Sequence, residues 1–344
     1  MIDSVKIEGY KSILSQHIEL RSMNVVLGGN GVGKSNLLSV FPFFRKIIQS
    51  RDWEYSHTVD ASRLLYMGRK VTDKIRLSFH FTNSWLNLMN IELKDVDNSL
   101  RVRSLFVDEN ERIVSSFGQT KEANVDRLRD LVDQFWVHHF QDTGDKSSYR
   151  ATSRVSDSRF LRADGSNLAS VLYRIRTSDP SLFRRIEDVI HETTPSFRCF
   201  DLMPDPFNEE YIRLLWHPVG EDVLFDEFQL SDGTLRLMSL FTLLLQPKLP
   251  SLILIDEPEI GLHPAAIAIL ADLLKKASEK AQIIISTQSI DLVNRFSPED
   301  ILVGDYLQNQ SVFKRLNTEE LRSWLDDYTL GELWEKNIFG GQPY

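Results

Sequence analysis

The stretch "GGNGVGKS", Gly28 to Ser35, restricts the fold of this chain more than any other feature. It follows the short apolar run "MNVVL" and precedes "KSNLLSVFPFFRKII", whose apolar spacing predicts a helix. Glycines allow successive backbone N–H groups to turn toward a bound anion at the start of such a helix. The pattern G-x-x-x-x-G-K-[ST] between a strand and a helix therefore predicts a phosphate-binding loop rather than a chance glycine turn.

The residues predicted to contact phosphate lie in this loop and at the start of the helix. Lys34 would supply a positive charge to the β- and γ-phosphates of a nucleoside triphosphate, and the Ser35 hydroxyl is suited to Mg²⁺. The full predicted set is Gly28, Asn30, Gly31, Val32, Gly33, Lys34, Ser35 and Asn36.

An acidic pair ends a second apolar strand, in "SLILIDEPEIGLHP". Adjacent strand residues point to opposite faces, so Asp256 and Glu257 are expected to have different tasks. Beside a phosphate loop, Asp256 is predicted to hold Mg²⁺ and Glu257 to be the general base for an attacking water. The alternative is that the pair only caps the turn that follows.

The secondary-structure patterns predict an α/β fold. Residues 71–116 alternate apolar and polar side chains, which predicts antiparallel strands. From residue 251 onward, strands and helices alternate as in a parallel sheet with helical crossovers. The predicted division is a nucleotide-binding lobe at 1–140 and 248–316, a helical lobe at 141–247 and a C-terminal helical tail at 317–344.

Charge narrows the class of partner. The chain has 344 residues, with 40 Lys and Arg against 49 Asp and Glu, a net charge of −9. Such a surface as a whole is not suited to nucleic acid, because phosphate backbones require positive charge. Residues 146–185 depart from this average, with nine Lys or Arg and three Asp. This segment is predicted either to contact DNA or to be a solvated linker whose arginines pair within the protein.

The single cysteine, Cys199, excludes an intrachain disulfide framework and a cysteine-based zinc cluster, and its apolar surroundings predict a packed strand residue. The first residues lack the basic and apolar segments of a signal peptide. Apolar runs such as "LFTLLL" are far shorter than a membrane span. These features predict a soluble, cytoplasmic protein with no membrane partner.

The turn "LSDGT", Leu230 to Thr234, opens another apolar helix. A phosphate loop, this turn and an Asp-Glu-Pro strand end, in that order, resemble the ATP-binding-cassette (ABC) ATPases, and within them the RecF/SMC-like branch. The stretches "HHFQDT" and "YTLGELWEKNIFGGQP" are similar to a prokaryotic RecF-like AAA-type family related to OLD-type heads. The resemblance implies a P-loop NTPase fold: an ABC-type head with a mixed central sheet, an antiparallel β elaboration and a helical signature lobe.

ATP and Mg²⁺ are the cofactors that this resemblance implies, and two copies of the chain are expected to dimerise around ATP. Ser231, Asp232 and Gly233 would then form a signature that contacts the nucleotide of the other copy. Asp232 and Thr234 replace the glycine and glutamine that are usual there. The alternative for Ser231 is an ordinary helix N-cap.

Three further positions are assigned by the same resemblance. Gln288 stands where many relatives carry a switch histidine, and an amide at this position does not titrate near neutral pH. Gln141 matches a loop glutamine that contacts Mg²⁺, or is a solvated amide. His263 lies in a segment that crosses the dimer seam in this family, or packs where a helix begins.

Spacing separates this chain from relatives with long arms. Ser35 and Ser231 are 196 positions apart, which leaves no room for a coiled-coil arm of several hundred residues. No Asp-x-Asp cluster follows the cassette, so a nuclease under its control would be a separate chain.

Two functional hypotheses follow. The first is an ATP-hydrolysing dimer that works in DNA repair or anti-phage defence. The second is an ATP-dependent scaffold that regulates a separately encoded nuclease or toxin effector, with slow hydrolysis as a timer. The tail with "IFGGQP" either packs back on the core or docks a partner, and the sequence leaves both open.

Overall fold

The computed structural model describes residues 1–50, 54–55, 60–82, 86–97, 99–107, 111–115, 122–138 and 152–342. Its strands, in chain order, are β1 (Ile2–Tyr10), β2 (Ile13–Glu19), β3 (Met23–Leu27), β4 (Glu54–Tyr55), β5 (Lys74–Phe81), β6 (Leu88–Val96), β7 (Ser99–Val107), β8 (Glu111–Ser115), β9 (Phe135–His138), β10 (Ser153–Arg154), β11 (Phe197–Asp201), β12 (Pro204–Asp205), β13 (Asn208–Ile212), β14 (Leu215–Pro218), β15 (Leu252–Asp256), β16 (Gln282–Thr287), β17 (Ile301–Leu307) and β18 (Gln310–Arg315).

The helices, in chain order, are α1 (Lys34–Leu38), α2 (Val40–Gln49), α3 (Glu122–Asp133), α4 (Leu168–Ser178), α5 (Pro180–Thr193), α6 (Asp232–Leu244), α7 (Pro264–Ser278), α8 (Ile290–Val293), α9 (Thr318–Leu325) and α10 (Leu330–Glu335). None of the helices in the described ranges combines the length and apolar content that a membrane crossing needs.

Two compact units make up the chain. The first unit comprises Met1–Trp136, Pro250–Leu254 and Ala281–Tyr344. The second unit comprises Val137–Leu249 and Ile255–Lys280. The phosphate loop thus belongs to the first unit, whereas the Leu-Ser-Asp-Gly turn and the acidic pair belong to the second.

An antiparallel sheet of seven strands occupies the N-terminal part of the first unit. Its order is β2-β1-β5-β6-β7-β4, with β8 paired to β7. Strand β5 coincides with the alternating stretch "KIRLSFHF", and its apolar residues are buried while its polar residues are more exposed. On the buried face the Phe79 ring packs on Phe44 of α2, with centroids 4.5 Å apart. The predicted antiparallel elaboration is confirmed.

The second sheet of this unit is mixed and carries the nucleotide motif. Its order is β18-β17-β3-β16-β15-β9. Strands β16 and β17 run parallel to β3, and β18 is antiparallel to β17. Every residue of β3 and β16 is buried, as expected for parallel strands covered on both faces. The mixed central sheet predicted from the motif order is therefore present.

Two buried amides tie these elements together. Gln282, at the start of β16, accepts from the Ile2 N–H at 3.0 Å and donates to the Ile2 carbonyl at 2.7 Å, which joins β1 to β16. Asn24 of β3 donates to the Ile283 carbonyl at 3.2 Å and accepts from the Arg315 guanidinium at 2.6 Å. Burial lowers the pKa of Arg315 to about 10. The start of β3 is thus fixed by side chains from distant parts of the sequence.

The second unit is built around helices and small strand pairs. Strand β11 pairs with β14, and Phe197, Phe200 and Trp216 form an aromatic cluster in which the first two ring centroids are 4.7 Å apart. Cys199 lies half-buried on β11, which confirms the predicted strand. All but the first residues of α6 are buried, so the helix opened by the Leu-Ser-Asp-Gly turn is a core helix of this unit.

One predicted strand is wrong in extent. The alternation in "YIRLLWH" predicts a single strand, but the structure divides this stretch between β13 and β14. Strand β13 pairs with β10 and β12, whereas β14 pairs with β11. The chain changes partners between Ile212 and Leu215, and alternation alone does not reveal such a change.

The polar segment predicted as a loop or linker is only partly described. Within 152–165 the chain forms β10 and turns, and the buried Asn167 organises it. Its side chain donates to the Asp157 and Phe160 carbonyls, both at 2.8 Å, and accepts from the Arg162 N–H at 2.8 Å. This part is therefore a loop that the Asn167 side chain holds in place. Residues 141–151 lie outside the described residues.

Candidate functional site

The phosphate loop begins where β3 leaves the mixed sheet. Gly31 and Gly33 have φ angles of 83° and 99°, in the left-handed region that glycine adopts without strain. No heavy atom lies within 4 Å of the position that a Cβ on Gly31 would take. The loop thus curves around open space before α1 begins at Lys34.

Lys34 is the buried cation of this loop. Only 5% of the residue is exposed, and its Nζ donates to the Gly28 carbonyl at 2.8 Å and the Gly29 carbonyl at 3.1 Å. A buried ammonium is costly unless it is hydrogen-bonded, so these carbonyls hold the charge in place. A phosphate oxygen offers a stronger, charge-assisted acceptor for the same group.

A serine pair braces the far side of the loop. The Ser311 hydroxyl donates to Ser12 Oγ at 2.6 Å, and the Asn36 side chain donates to the same oxygen at 2.8 Å. A Cβ on Gly33 would overlap the Ser311 hydroxyl, so only glycine fits against this pair. Asn36, predicted among the phosphate ligands, is held by Ser12.

The remaining loop positions differ in environment. Val32 is buried and its side chain fills the space beside Gly28, where a Cβ would come within 2.7 Å of Val32 Cγ2. Asn30 and Ser35 are exposed. Asn30 and Ser35 are therefore accessible at the surface of the loop, while Val32 contributes packing.

A cavity of about 520 Å³ lies beside this loop within the first unit. Its lining includes Lys11, Ser12, Asn36, Arg63, Tyr66 and Asn309. Burial lowers the pKa of Lys11, whose Nζ donates to Ser39 Oγ at 2.8 Å. The volume lies in the range of small-ligand pockets, and Asn36 connects it to the start of α1.

Gln288 is placed at the same sheet edge as the phosphate loop. Strand β16 is parallel to β3, with Thr287 in register with Leu27. Gln288 and Gly28 therefore follow paired residues, and the Gln288 side chain is exposed. The structure brings the predicted switch amide and the phosphate loop together in one unit.

The acidic pair lies in the second unit. Asp256 is the last residue of β15, and both it and Glu257 are half-exposed. Glu257 has φ 47°, in the left-handed region that a non-glycine residue adopts at a cost of roughly 1–2 kcal/mol. Backbone strain of this kind is concentrated at functional sites, which supports a functional hypothesis for this residue.

The Leu-Ser-Asp-Gly turn is an N-cap in this structure. Ser231 Oγ accepts from the Thr234 N–H at 3.1 Å, which is the ordinary capping contact at the start of α6. Both Ser231 and Asp232 are exposed. Their exposure leaves them accessible to a further ligand, so capping and a signature role are compatible.

Gly233 has a packing role that the sequence did not predict. A Cβ on Gly233 would overlap the carbonyl oxygen of Gly261, in the loop that follows the acidic pair. The buried Arg236 guanidinium donates to the Ile260 carbonyl of the same loop. The start of α6 and the loop 257–261 therefore fit closely within the second unit.

Of the last two predicted positions, His263 is described by the structure and Gln141 is not. His263 caps α7, since its Nδ1 accepts from the Ala265 N–H at 3.2 Å, and its side chain is exposed. The structure thus gives His263 a role where a helix begins. Gln141 lies outside the described residues.

Several arginines of the basic segment have partners within the protein. Arg162 pairs with Asp157 at 2.8 Å, Arg176 donates to the Leu202 carbonyl at 3.0 Å, and Arg154 lies over the Tyr211 ring. These contacts match the interpretation in which arginines pair within the protein. They do not test contact with DNA.

Comparison with known proteins identifies the class. A family model described as "AAA domain, putative AbiEii toxin, Type IV TA system" matches residues 23–294. No curated protein matches the chain in sequence.

Solved structures of SMC heads share the fold. An SMC head bound to the C-winged helix domain of ScpA aligns with a TM-score of 0.65 at 16% identity and covers 94% of this chain and 99% of that one. An SMC head with an extended coiled coil, bound to the C-terminal domain of ScpA derived from Pyrococcus furiosus, gives 0.64 at 14%, covering 95% and 98%. The SMC head domain from Thermotoga maritima gives 0.51 at 13%, covering 92% and 99%.

These likenesses establish the fold, and the family model extends over most of the chain from β3 to α8. The fold is that of the SMC heads, and the chain belongs to the AAA-domain family whose model matches residues 23–294.

Proposed function

We propose that this chain hydrolyses ATP and that two copies close around ATP to do so. The observation that carries the proposal is the buried Lys34, held on the Gly28 and Gly29 carbonyls at the mouth of an open glycine loop. The cavity of about 520 Å³ beside Asn36 offers room for the remainder of the nucleotide.

The chemistry assigns a separate task to each group. The Ser35 hydroxyl and the Asp256 carboxylate are oxygen donors of the kind that Mg²⁺ prefers, and they would hold the ion, which would neutralise charge on the β- and γ-phosphates. Glu257 accepts the proton of the attacking water, and the Gln288 amide orients that water or the γ-phosphate. The strained backbone of Glu257 supports its role.

The dimer part of the proposal rests on the second unit. Ser231 and Asp232 are exposed at the start of a thirteen-residue helix, where backbone N–H groups and the helix dipole attract an anion. We propose that the anion is the γ-phosphate bound by Lys34 of the other copy. Removal of that phosphate would then release the two copies.

Complementation between two inactive variants tests this arrangement. Lys34→Ala removes phosphate binding from its own site, and Ser231→Arg blocks the site of the partner. Each variant alone should be inactive. In a mixed dimer, one site has an intact Lys34 and faces an intact Ser231, so mixing should restore ATP hydrolysis, measured as phosphate release.

Failure of the mixture to recover activity, with both variants folded and able to dimerise with wild type, would contradict the shared site. A specific activity that stays constant on extreme dilution of the wild type would contradict it as well, since dissociation should separate the two halves of each site.

The biological setting proposed is DNA repair or anti-phage defence. Contact with DNA would use the basic segment 146–185, of which only 152–185 is described. Reversing the charge of Arg154, Arg159 and Arg162 should weaken DNA binding and reduce its salt dependence by about three phosphate contacts. Unchanged affinity and salt slope would leave those arginines with their partners inside the protein.

A second candidate function is an ATP-dependent scaffold for a separately encoded nuclease or toxin effector. Phe207, at the turn between β12 and β13, is 98% exposed, and Met203 nearby in sequence is 59% exposed. We propose that these two exposed side chains are where the protein partner binds. Two SMC heads of the same fold carry a bound ScpA domain, although the likeness shows only the fold.

Glu257→Gln separates the two candidates. If turnover is the function, this variant should bind ATP and lose biological activity. If assembly is the function, the variant should stay assembled and active, and Phe207→Asp should abolish its capture of the effector. A biological assay of both variants in the same cells distinguishes these results.

A further inference from the structure

The segment Thr329–Gln342, which we call the strap, is the part of the sequence that the proposed function does not use. It contains α10, whose start is fixed by a capping box between Thr329 and Glu332. After α10 the chain reaches Gly340 and Gly341, whose φ angles are 86° and 83°. The tail that the sequence could assign to the core or to a partner packs within the first unit.

The strap contacts the phosphate loop directly. The Gly29 N–H donates to the Gly341 carbonyl at 2.8 Å. The Gly341 N–H donates in turn to Asp305 Oδ1 at 2.7 Å, on strand β17 beside β3. A backbone group of the loop is therefore held by the strap, and the strap is held by the sheet.

Glycine is required at both positions of this contact. A Cβ on Gly340 would overlap the Asp305 carboxylate, and one on Gly341 would lie 2.8 Å from Val303 Cγ1 and 3.2 Å from Trp334 Nε1. Both residues also have left-handed φ angles. The sequence "FGGQP" therefore meets the steric demands of this one docked position.

The other end of the strap rests on the segment that carries the switch amide. The Gly331 N–H donates to Asn294 Oδ1 at 2.7 Å, and a Cβ on Gly331 would overlap Ile290 of α8. Helix α8 begins immediately after Gln288, and Ser289 caps it. The strap thus joins the first residues of the phosphate loop to the helix that follows Gln288.

Gly29 is linked to Lys34 as well as to the strap. Its N–H is held by Gly341, and its carbonyl accepts from Lys34 Nζ at 3.1 Å. We propose that Gly341 is a positioning residue for nucleotide binding: its carbonyl fixes Gly29, and through Gly29 it fixes the place from which Lys34 reaches a phosphate. This inference rests on the proposed binding of ATP at this loop.

The strap does not compete with phosphate in this arrangement. Gly29 precedes the first helical residue, Lys34, by five positions. A phosphate bound at the start of α1 would therefore lie several residues away along the chain from the contact between Gly29 and the strap. Loss of the strap contact should therefore weaken nucleotide binding, whereas a competing strap would strengthen binding when removed.

The test compares two glycines with the same backbone strain. Gly341→Ala and Gly220→Ala both place a Cβ at φ 83°, but Gly220 has no heavy atom within 4 Å of that Cβ. The methyl group added in Gly341→Ala should displace the Gly341 carbonyl from the Gly29 N–H, and loss of this hydrogen bond should weaken binding of a fluorescent ATP analogue roughly tenfold. Gly220→Ala should bind like wild type. Hydrogen exchange at the Gly29 amide should be faster only in Gly341→Ala.

Steady-state kinetics add a readout that a general loss of stability would not give. The KM for ATP should rise roughly tenfold in Gly341→Ala while kcat changes less than about twofold, because Glu257 is untouched. Equal or tighter binding of ATP by Gly341→Ala than by wild type would overturn the inference. Failure of the wild type to bind ATP would instead overturn the proposed function.

A second pair of variants keeps the inference testable should Gly341→Ala not fold. Asp305→Ala removes the acceptor of the Gly341 N–H and should weaken ATP binding several-fold. Asp305→Asn retains an oxygen at this place and should restore binding. If both variants bind ATP as wild type does, the strap has no part in positioning the loop.

Discussion

Two glycine-containing turns open helices in this chain, and their glycines serve different purposes. In the phosphate loop, Gly31 adopts a left-handed φ and leaves open space around it. In the Leu-Ser-Asp-Gly turn, Gly233 is needed because the Gly261 carbonyl lies against it. The first glycine allows a left-handed turn of the backbone, and the second allows two backbone segments to touch.

This contrast distinguishes substitutions that affect nucleotide binding from substitutions that affect assembly of the site. A loop with open space is suited to ligand binding, so changes in the first unit should affect nucleotide affinity. A tightly packed turn fixes the position of the segment that it contacts. Changes in the second unit should therefore affect turnover and stability, while nucleotide affinity is kept. The following substitutions test this division.

The largest effect is expected for Glu257→Gln. A general base contributes about 10²- to 10⁴-fold in rate, so phosphate release should fall by that factor while ATP affinity is retained. The backbone strain at φ 47° is the same in both residues, so stability should not change. Glu279→Gln, an exposed residue just after α7, is the control. If ATP affinity fell as well, Glu257 would have a role in nucleotide binding.

Lys34→Ala should lower ATP affinity, which Glu257→Gln is expected to retain. Removing the buried ammonium takes away a charged hydrogen-bond donor worth about 1.5–3 kcal/mol, so ATP affinity should fall roughly a hundredfold. Isothermal titration with ATP and Mg²⁺ measures this. Lys276→Ala, exposed on α7, should bind as wild type does. Retained affinity in Lys34→Ala would remove the loop from nucleotide binding.

Gly233→Ala tests the packed turn. Its methyl group would overlap the Gly261 carbonyl, so the free energy of unfolding should fall by about 2 kcal/mol, as overpacking commonly costs. Denaturant titration measures the change. Lys276→Ala, exposed on α7 and outside this contact, serves as control. A stable Gly233→Ala variant would mean that the two segments separate easily.

Ser231→Ala should have the smallest effect on stability. It loses the N-cap to the Thr234 N–H, which is worth about 1 kcal/mol of unfolding free energy. Ser231→Asn can still cap the helix, and it should recover that stability. If Asn restores stability but not hydrolysis, the serine has a task beyond capping its own helix.

Much of the fold was predictable from local patterns. The alternation in "KIRLSFHF" predicted β5, and the order of strand, glycine loop and helix predicted the turn between β3 and α1. These features depend on neighbours in sequence, where side-chain period and turn chemistry are strong constraints. The capping role of Ser231 was likewise one of two interpretations that a Ser-Asp-Gly turn allows.

Contacts between distant backbone groups could not be predicted. The Gly29 N–H meets the Gly341 carbonyl, and Gly233 meets Gly261, with no side chain that marks either partner. The division of "YIRLLWH" between β13 and β14 depends on which strands lie beside it. Ser12 and Ser311, which brace Gly33, were missed for the same reason, because serines in turns and strands are common and carry no distinctive spacing.

The close fit between Gly233 and the loop 257–261 has a consequence for how two ATP sites would fire. In the proposed ATP-bridged pair, the loop 257–261 would serve a subunit's own nucleotide, and the turn at Gly233 would contact the neighbour's nucleotide. Because the Gly261 carbonyl lies against Gly233, a displacement of one segment would be passed to the other, and the two nucleotide sites would be coupled. The two sites of the pair would then hydrolyse ATP alternately.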